Sequence, residues 1–240
     1  MNKPWLNDKD LKCVVLCAGK GARILPYSKD VPKVMLEVDN QPILCYVIDY
    51  WKQFTNDFIF VVGYKKEQVI DYVKKLPIHS TFVEQKELRG IADAINHVKN
   101  NVSGNFILVL GDCLCEGKFN FPEKMELGVG VWETNNLEDI KRSYSIEITN
   151  DVISKVVEKP KELQNNLCGM GFYFFNQKVF DYIKITPPSE LRNEIEITDV
   201  IQNMIRGGET IKPIFFNGNY FNITFPEDII KVEKYYFFEK

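Results

Sequence analysis

Gly19, Gly21, Arg23 and Lys33 fall within LCAGKGARILPYSKDVPKVMLEV, residues 16–38, and each can take hold of a phosphate. A strand that stops at glycine turns backbone N–H groups outward, and without a Cβ those amides approach an anion closely. Arg23 would add a planar, bidentate charge and Lys33 a compact one. The run is not a dinucleotide fingerprint, because the third glycine would stand at position 24, where the chain has Ile24. A Walker loop fails too, since no Gly-Lys-Ser/Thr follows at the required spacing. On their own, two spaced glycines are equally compatible with a tight turn.

Other chemistry-bearing residues lie downstream. Asp112 follows the apolar run NFILVLG, where a carboxylate needs either a hard cation or the N–H groups of the next segment. Gln85 carries both a hydrogen-bond donor and an acceptor on one side chain. Glu158, Lys159 and Pro160 close another strand-like stretch.

The elements that must position these residues alternate along the first half. KCVVLCAG, FIFVVG, STFVEQ and NFILVLGD read as strands; helical stripes begin at Pro42, Val69 and Ile91. Strands of continuous apolar character between helices argue for a parallel sheet covered on both faces. In the second half GVGVWE, YSIEIT, DVISKVVEKP and GMGFYFFN are strand-like, with helical patterns at 177–184, 197–206 and 227–238. The expected fold class is α/β, with a mostly parallel sheet and a mixed or antiparallel β extension. No linker or internal repeat interrupts the chain, so a single domain over residues 1–240 is expected, with 1–11 as a polar N-terminal extension.

Composition narrows the partners. The chain has 240 residues, 45% hydrophobic and 13% aromatic, enough to bury a core. A net charge of −3 without any lysine-arginine block argues against nucleic-acid and membrane partners, so any attraction for phosphate is local. Six cysteines without a CxxC pair, and only two histidines, read as reduced, buried thiols in a reducing cytoplasm.

Past Arg23 the sequence continues with Pro26, the pair Pro32–Lys33, an apolar run and QPIL. This opening resembles that of the nucleoside-triphosphate transferase family, the sugar-1-phosphate nucleotidyltransferases of the glucose-1-phosphate thymidylyl- and uridylyltransferase kind. Ala22 stands where threonine is usual, and Ile24 replaces leucine. QKELRGIADAI, LGDCL, VVEKP, GMGFYFF and EIEITDVI follow in the family's order across nearly the whole chain.

The resemblance implies a Rossmann-like sheet, with the mixed β extension serving the sugar site. It implies transfer of a nucleotidyl group from a nucleoside triphosphate to a sugar-1-phosphate, with Mg²⁺, giving a nucleotide-sugar and pyrophosphate. Leu16, Ala18, Gly19, Gly21 and Arg23 would line the nucleotide, and Gln85 and Gly90 would read its base, a pyrimidine being modestly favoured. Arg23 would hold the departing pyrophosphate, Lys33 the α-phosphate and Lys159 the phosphate of the sugar. Ser145, Glu158 and Gly171 would face the sugar. Asp112 and position 222 would hold the metal.

Position 222 departs from the pattern. The family has a carboxylate there, whereas this chain has Asn222, followed by Ile223, Thr224 and Phe225 before Pro226-Glu227-Asp228 returns to type. Ser145 likewise stands where glycine is common. Transfer to a non-sugar phosphate such as phosphocholine, and nucleotide or sugar-phosphate binding without turnover, stay open as alternatives, as does a homo-oligomer. No hexapeptide repeats follow residue 226, so no left-handed β-helix arm is expected.

Overall fold

The computed structural model describes residues 10–87, 89–190 and 193–238, so most of the expected N-terminal extension lies outside the described residues. β1 (Lys12–Leu16) buries the centre of KCVVL. The short strands β2 (Glu37–Val38) and β3 (Gln41–Pro42) pair antiparallel, and their turn uses positive φ at Asp39 (48°) and Asn40 (59°). Asp and Asn tolerate that region best among residues with a Cβ. α1 (Ile43–Trp51) starts after Pro42 and buries Ile43, Leu44, Val47, Ile48 and Trp51, the stripe expected of a helix with one face on a core.

β4 (Asp57–Val62), α2 (Lys66–Val73), β5 (His79–Glu84), α3 (Ile91–His97) and β6 (Phe106–Leu110) complete the expected alternation. Then come β7 (Cys113–Asn120), β8 (Leu127–Glu133), α4 (Leu137–Arg142), β9 (Tyr144–Thr149), β10 (Val152–Glu158) and β11 (Leu167–Phe175). α5 (Lys178–Ile185), α6 (Ile197–Arg206), β12 (Ile211–Asn222) and α7 (Pro226–Phe238) follow. Among the described residues ten strands make one mostly parallel sheet in the order β5-β4-β1-β6-β11-β8-β12-β7, with β9 joined to β11 and β10 to β9. The fold is α/β and Rossmann-like, with a mixed extension, as expected.

The chain divides into two compact units. The first comprises residues 12–88, 109–116 and 218 onward. In it β1 pairs parallel with β4 and β4 with β5. One of its cores gathers Ile24, Leu36, Val38, Ile43, Leu114, Phe221, Ile223 and Val232. Tyr235 and Tyr236 of α7 pack against this core. The Tyr236 ring lies 4.9 Å from Tyr46 and that of Tyr235 5.3 Å from Phe221. The Tyr236 hydroxyl donates to Glu116 Oε1 at 2.6 Å.

The second unit centres on residues 89–108 and 117–217. Here β11 runs antiparallel to β8, β10 antiparallel to β9, and β12 parallel to β8. α6 buries Ile197, Thr198, Val200, Ile201 and Met204 on one face. All six cysteines are free thiols. Among the described residues no helix is long and apolar enough to cross a membrane.

Candidate active site

The glycine loop leaves β1 under firm constraint. Cys17 N–H donates to Val61 O (2.8 Å), Tyr64 N–H to Ala18 O (3.1 Å) and Gly111 N–H to Leu16 O (3.0 Å). Leu16 and Ala18 are thus fixed by their backbones, while Gly19 is exposed beyond them. Gly21 is left-handed, with φ 62°, and a Cβ there would come within 2.9 Å of Lys33 Cβ. Ser28 Oγ, buried at 1% exposure, donates to Gly21 O at 2.7 Å and holds the loop over Lys33. Glycine is required here by conformation and by space together. Arg23 follows, exposed on the 3-10 turn Ala22–Ile24, whose Ile24 is fully buried as an anchor.

Lys33 ties three segments together. Its ammonium is ion-paired with the Asp112 carboxylate and donates to Ile223 O at 2.8 Å. The side chains of Lys33 and Asp112 keep 17% and 18% exposure, so the pair sits in a partly desolvated spot still reachable from solvent. Ile223 N–H donates to Asp112 O at 3.0 Å, which brings Asn222 into the segment hydrogen-bonded to Asp112. Asn222 Oδ1 accepts from Thr224 Oγ1 at 3.2 Å. Asp228, a carboxylate six residues downstream, is engaged otherwise. Its Oδ2 accepts the N–H groups of Thr224 and Phe225, each at 2.8 Å, and so caps the start of α7. Gln85 is buried at 3% exposure at the end of β5, its N–H bonded to Val62 O. The Asp112 charge also adds to burial in pushing the neighbouring Cys17 thiol up.

The remaining expected residues belong to the second unit. Gly90 has φ 94° at the start of α3, and a Cβ there would meet the Glu194 carboxylate at 3.0 Å. Glu158 ends β10 opposite Tyr144 of β9, and Ser145 lies opposite Val157. Lys159 takes a left-handed backbone, φ 43°, with its N–H donated to Ser143 O at 2.9 Å. Gly171 is buried in β11 where the register against β8 shifts. A cavity of about 530 Å³ opens beside β10, with Glu158, Lys155, Ser189, Glu196, Asp199 and Arg206 in its wall. Burial, then the neighbouring Glu196, pushes the Asp199 carboxyl up, while Arg206 opposes this.

The structure thus joins Gly21, Lys33, Asp112 and the Asn222 segment in one unit, and Ser145, Glu158 and Lys159 in the other. Sequence reading gave no role to Ser28, Thr198 or Gln202. Their hydroxyl and amide groups act on residues far away in the chain, and EIEITDVI was the only signal near the latter two.

The nucleotidyl transferase family profile matches residues 12–236. The bifunctional protein GlmU of Methanocaldococcus jannaschii is 33% identical over 227 residues, which cover 94% of this chain and 54% of that protein. The chain spans about half the length of the GlmU relatives it matches. The UTP–glucose-1-phosphate uridylyltransferase AglF of Haloferax volcanii is 35% identical over 236 residues, 93% of this chain and 96% of that one. Among solved structures, a UDP-glucose pyrophosphorylase complexed with UDP-glucose superposes with a TM-score of 0.83 at 23% identity, covering 96% of this chain and 99% of the other. That likeness is one of fold. Together with the glycine loop and the Lys33–Asp112 pair, the sequence match makes this chain a member of the nucleotidyl transferase family.

Proposed function

We propose that the protein transfers a nucleotidyl group from a nucleoside triphosphate to a sugar-1-phosphate. An oxygen of the sugar phosphate attacks the α-phosphorus, the bond to the β-phosphate oxygen breaks, and pyrophosphate leaves. Both reactants are polyanions, so catalysis depends on holding and neutralising them, without a covalent nucleophile from the protein. The observation that carries the reading is the joining of Lys33, Asp112 and the Ile223 carbonyl beneath the Gly21 loop. A cation and a carboxylate kept partly dry beside a glycine turn that opens to solvent at Gly19 are what a triphosphate with its metal requires.

In this reading Gly19 and Gly21 present amides to the triphosphate, Arg23 holds the leaving pyrophosphate and Lys33 the α-phosphate. Gln85 and Gly90 select the base. The AglF relative supports uracil, since its name specifies UTP. Lys159 holds the sugar phosphate, Glu158 accepts from sugar hydroxyls beside the cavity, and Ser145 and Gly171 complete that side. Asp112 and Asn222 suit Mg²⁺, because a carboxylate and an amide oxygen on hydrogen-bonded segments are hard donors that leave positions for water and phosphate. When bound, the ion would neutralise charge on the phosphates.

The test is pyrophosphate release with Mg²⁺, a panel of nucleoside triphosphates and a panel of hexose-1-phosphates. At least one pair, expected to contain UTP or dTTP, should turn over. Nucleotide binding with silence across every pair would replace the reading with that of a binding subunit.

A further inference from the structure

Two side chains of α6 are committed to β10, the strand that ends in Glu158. Among the described residues β10 pairs with β9 alone, and Val156 gives its N–H to Gln202 Oε1 at 3.0 Å, to a side chain instead of a strand. One helical turn earlier, Thr198 Oγ1 donates to Glu158 Oε2 at 3.2 Å. Thr198 is buried at 2% exposure. The i, i+4 spacing places Thr198 and Gln202 on the same face of the helix. On the other side of the turn, the Lys159 N–H is fixed to Ser143 O at 2.9 Å. The Glu158–Lys159 corner is therefore held by backbone from β9 and by side chains from α6.

We propose that Thr198, supported by Gln202, is a positioning residue for the Glu158–Lys159 pair and sets how well the phosphorylated acceptor is held. The proposal rests on the reading of that pair as acceptor-binding. A hydroxyl has one proton to give, and giving it to Oε2 fixes the plane of the carboxylate. Groups that must meet a substrate in one geometry lose much of their effect when displaced by about 1 Å. Gln202 acts one step further back, by fixing the strand that carries Glu158. Neither role needs the hydrophobic face that α6 otherwise supplies.

The experiment varies acceptor and nucleotide separately in steady state for the wild type, Thr198→Val, Thr198→Ser and Gln202→Met. Thr198→Val keeps the shape and removes the donor. It should raise the acceptor KM roughly tenfold, the effect of losing about one good hydrogen bond, with the nucleotide KM within about twofold. Thr198→Ser should restore most of the loss, and Gln202→Met should move the acceptor KM in the same direction by less. An acceptor KM unmoved in Thr198→Val, or both KM values moved alike with a lowered melting temperature, overturns the proposal. Should Thr198→Val fail to fold, the same comparison is made between Thr198→Ala and Thr198→Ser. A wild type silent with every acceptor overturns the underlying reading as well, whereas an active wild type with unaltered variants overturns this proposal alone.

Discussion

At the scale of single residues, Lys33 shows both what a local pattern contains and what it lacks. The Pro32–Lys33 pair is what made it an expected phosphate cation through the family resemblance, yet nothing near it in sequence names Asp112 or the Ile223 carbonyl as its partners. Those contacts come from tertiary packing. Asn222 is the reverse case. Its departure from the family pattern is plain in the sequence, and the structure adds that Oδ2 of Asp228 is committed to the N–H groups at the start of α7. Asn222→Asp would therefore supply a negative donor where only an amide oxygen is present. Because Mg²⁺ affinity rises with ligand charge, half-saturation by Mg²⁺ in the pyrophosphate assay should fall, by roughly three- to tenfold, with activity retained. An unchanged metal titration would put residue 222 outside the metal shell.

At the scale of elements, the long periodic segments were legible. β1, β4, β6 and α1 stand where apolar runs and stripes place them. β7, β12 and α4 were not. β12 carries Pro213 and the polar stretch Asn217-Gly218-Asn219, residue types that local propensity disfavours in a strand, although Pro213 sits opposite Val129 within the parallel ladder to β8. Tertiary pairing overrode local propensity there. β11 shows a constraint that sequence pattern cannot express. A Cβ on Gly169 would overlap the ring of Tyr144, which is 4% exposed and donates its hydroxyl to Met170 O at 2.9 Å. Glycine at 169 is thus a packing requirement set by β9. Gly169→Ala should destabilise the protein by about 1–3 kcal/mol, the range for overpacking a filled core. Tyr144→Leu makes room, so adding it should cancel part of that cost. A double-mutant cycle by chemical denaturation checks this, and strictly additive effects would show that the ring yields freely.

At the scale of the whole molecule, the thiols read from composition as reduced and buried set its response to alkali. Burial pushes Cys13 and Cys17 up, with Cys13 further raised by Cys17 and Cys17 by the Asp112 charge. Burial and Asp112 do the same at Cys113, and burial lifts Cys168 to about 12. A free thiol in the unfolded chain ionises near 8.5. Below that pH both states keep the proton, and the contribution of each thiol to stability is intact. Above it the unfolded chain releases protons that the folded one retains, so stability falls as pH rises until the folded values are reached. Each buried thiol costs about 1.4 kcal/mol per pH unit in that window. Four such groups should lower the melting temperature by roughly 10 °C or more between pH 7.5 and 9.5, given the few degrees per kcal/mol of a chain this size. Cys13→Ala will lower stability at pH 7.5 through the cavity it leaves, but its melting temperature should then fall less steeply with pH than that of the wild type. Equal slopes for the two would mean that the Cys13 thiol ionises as readily folded as unfolded, against the expectation from its complete burial in β1.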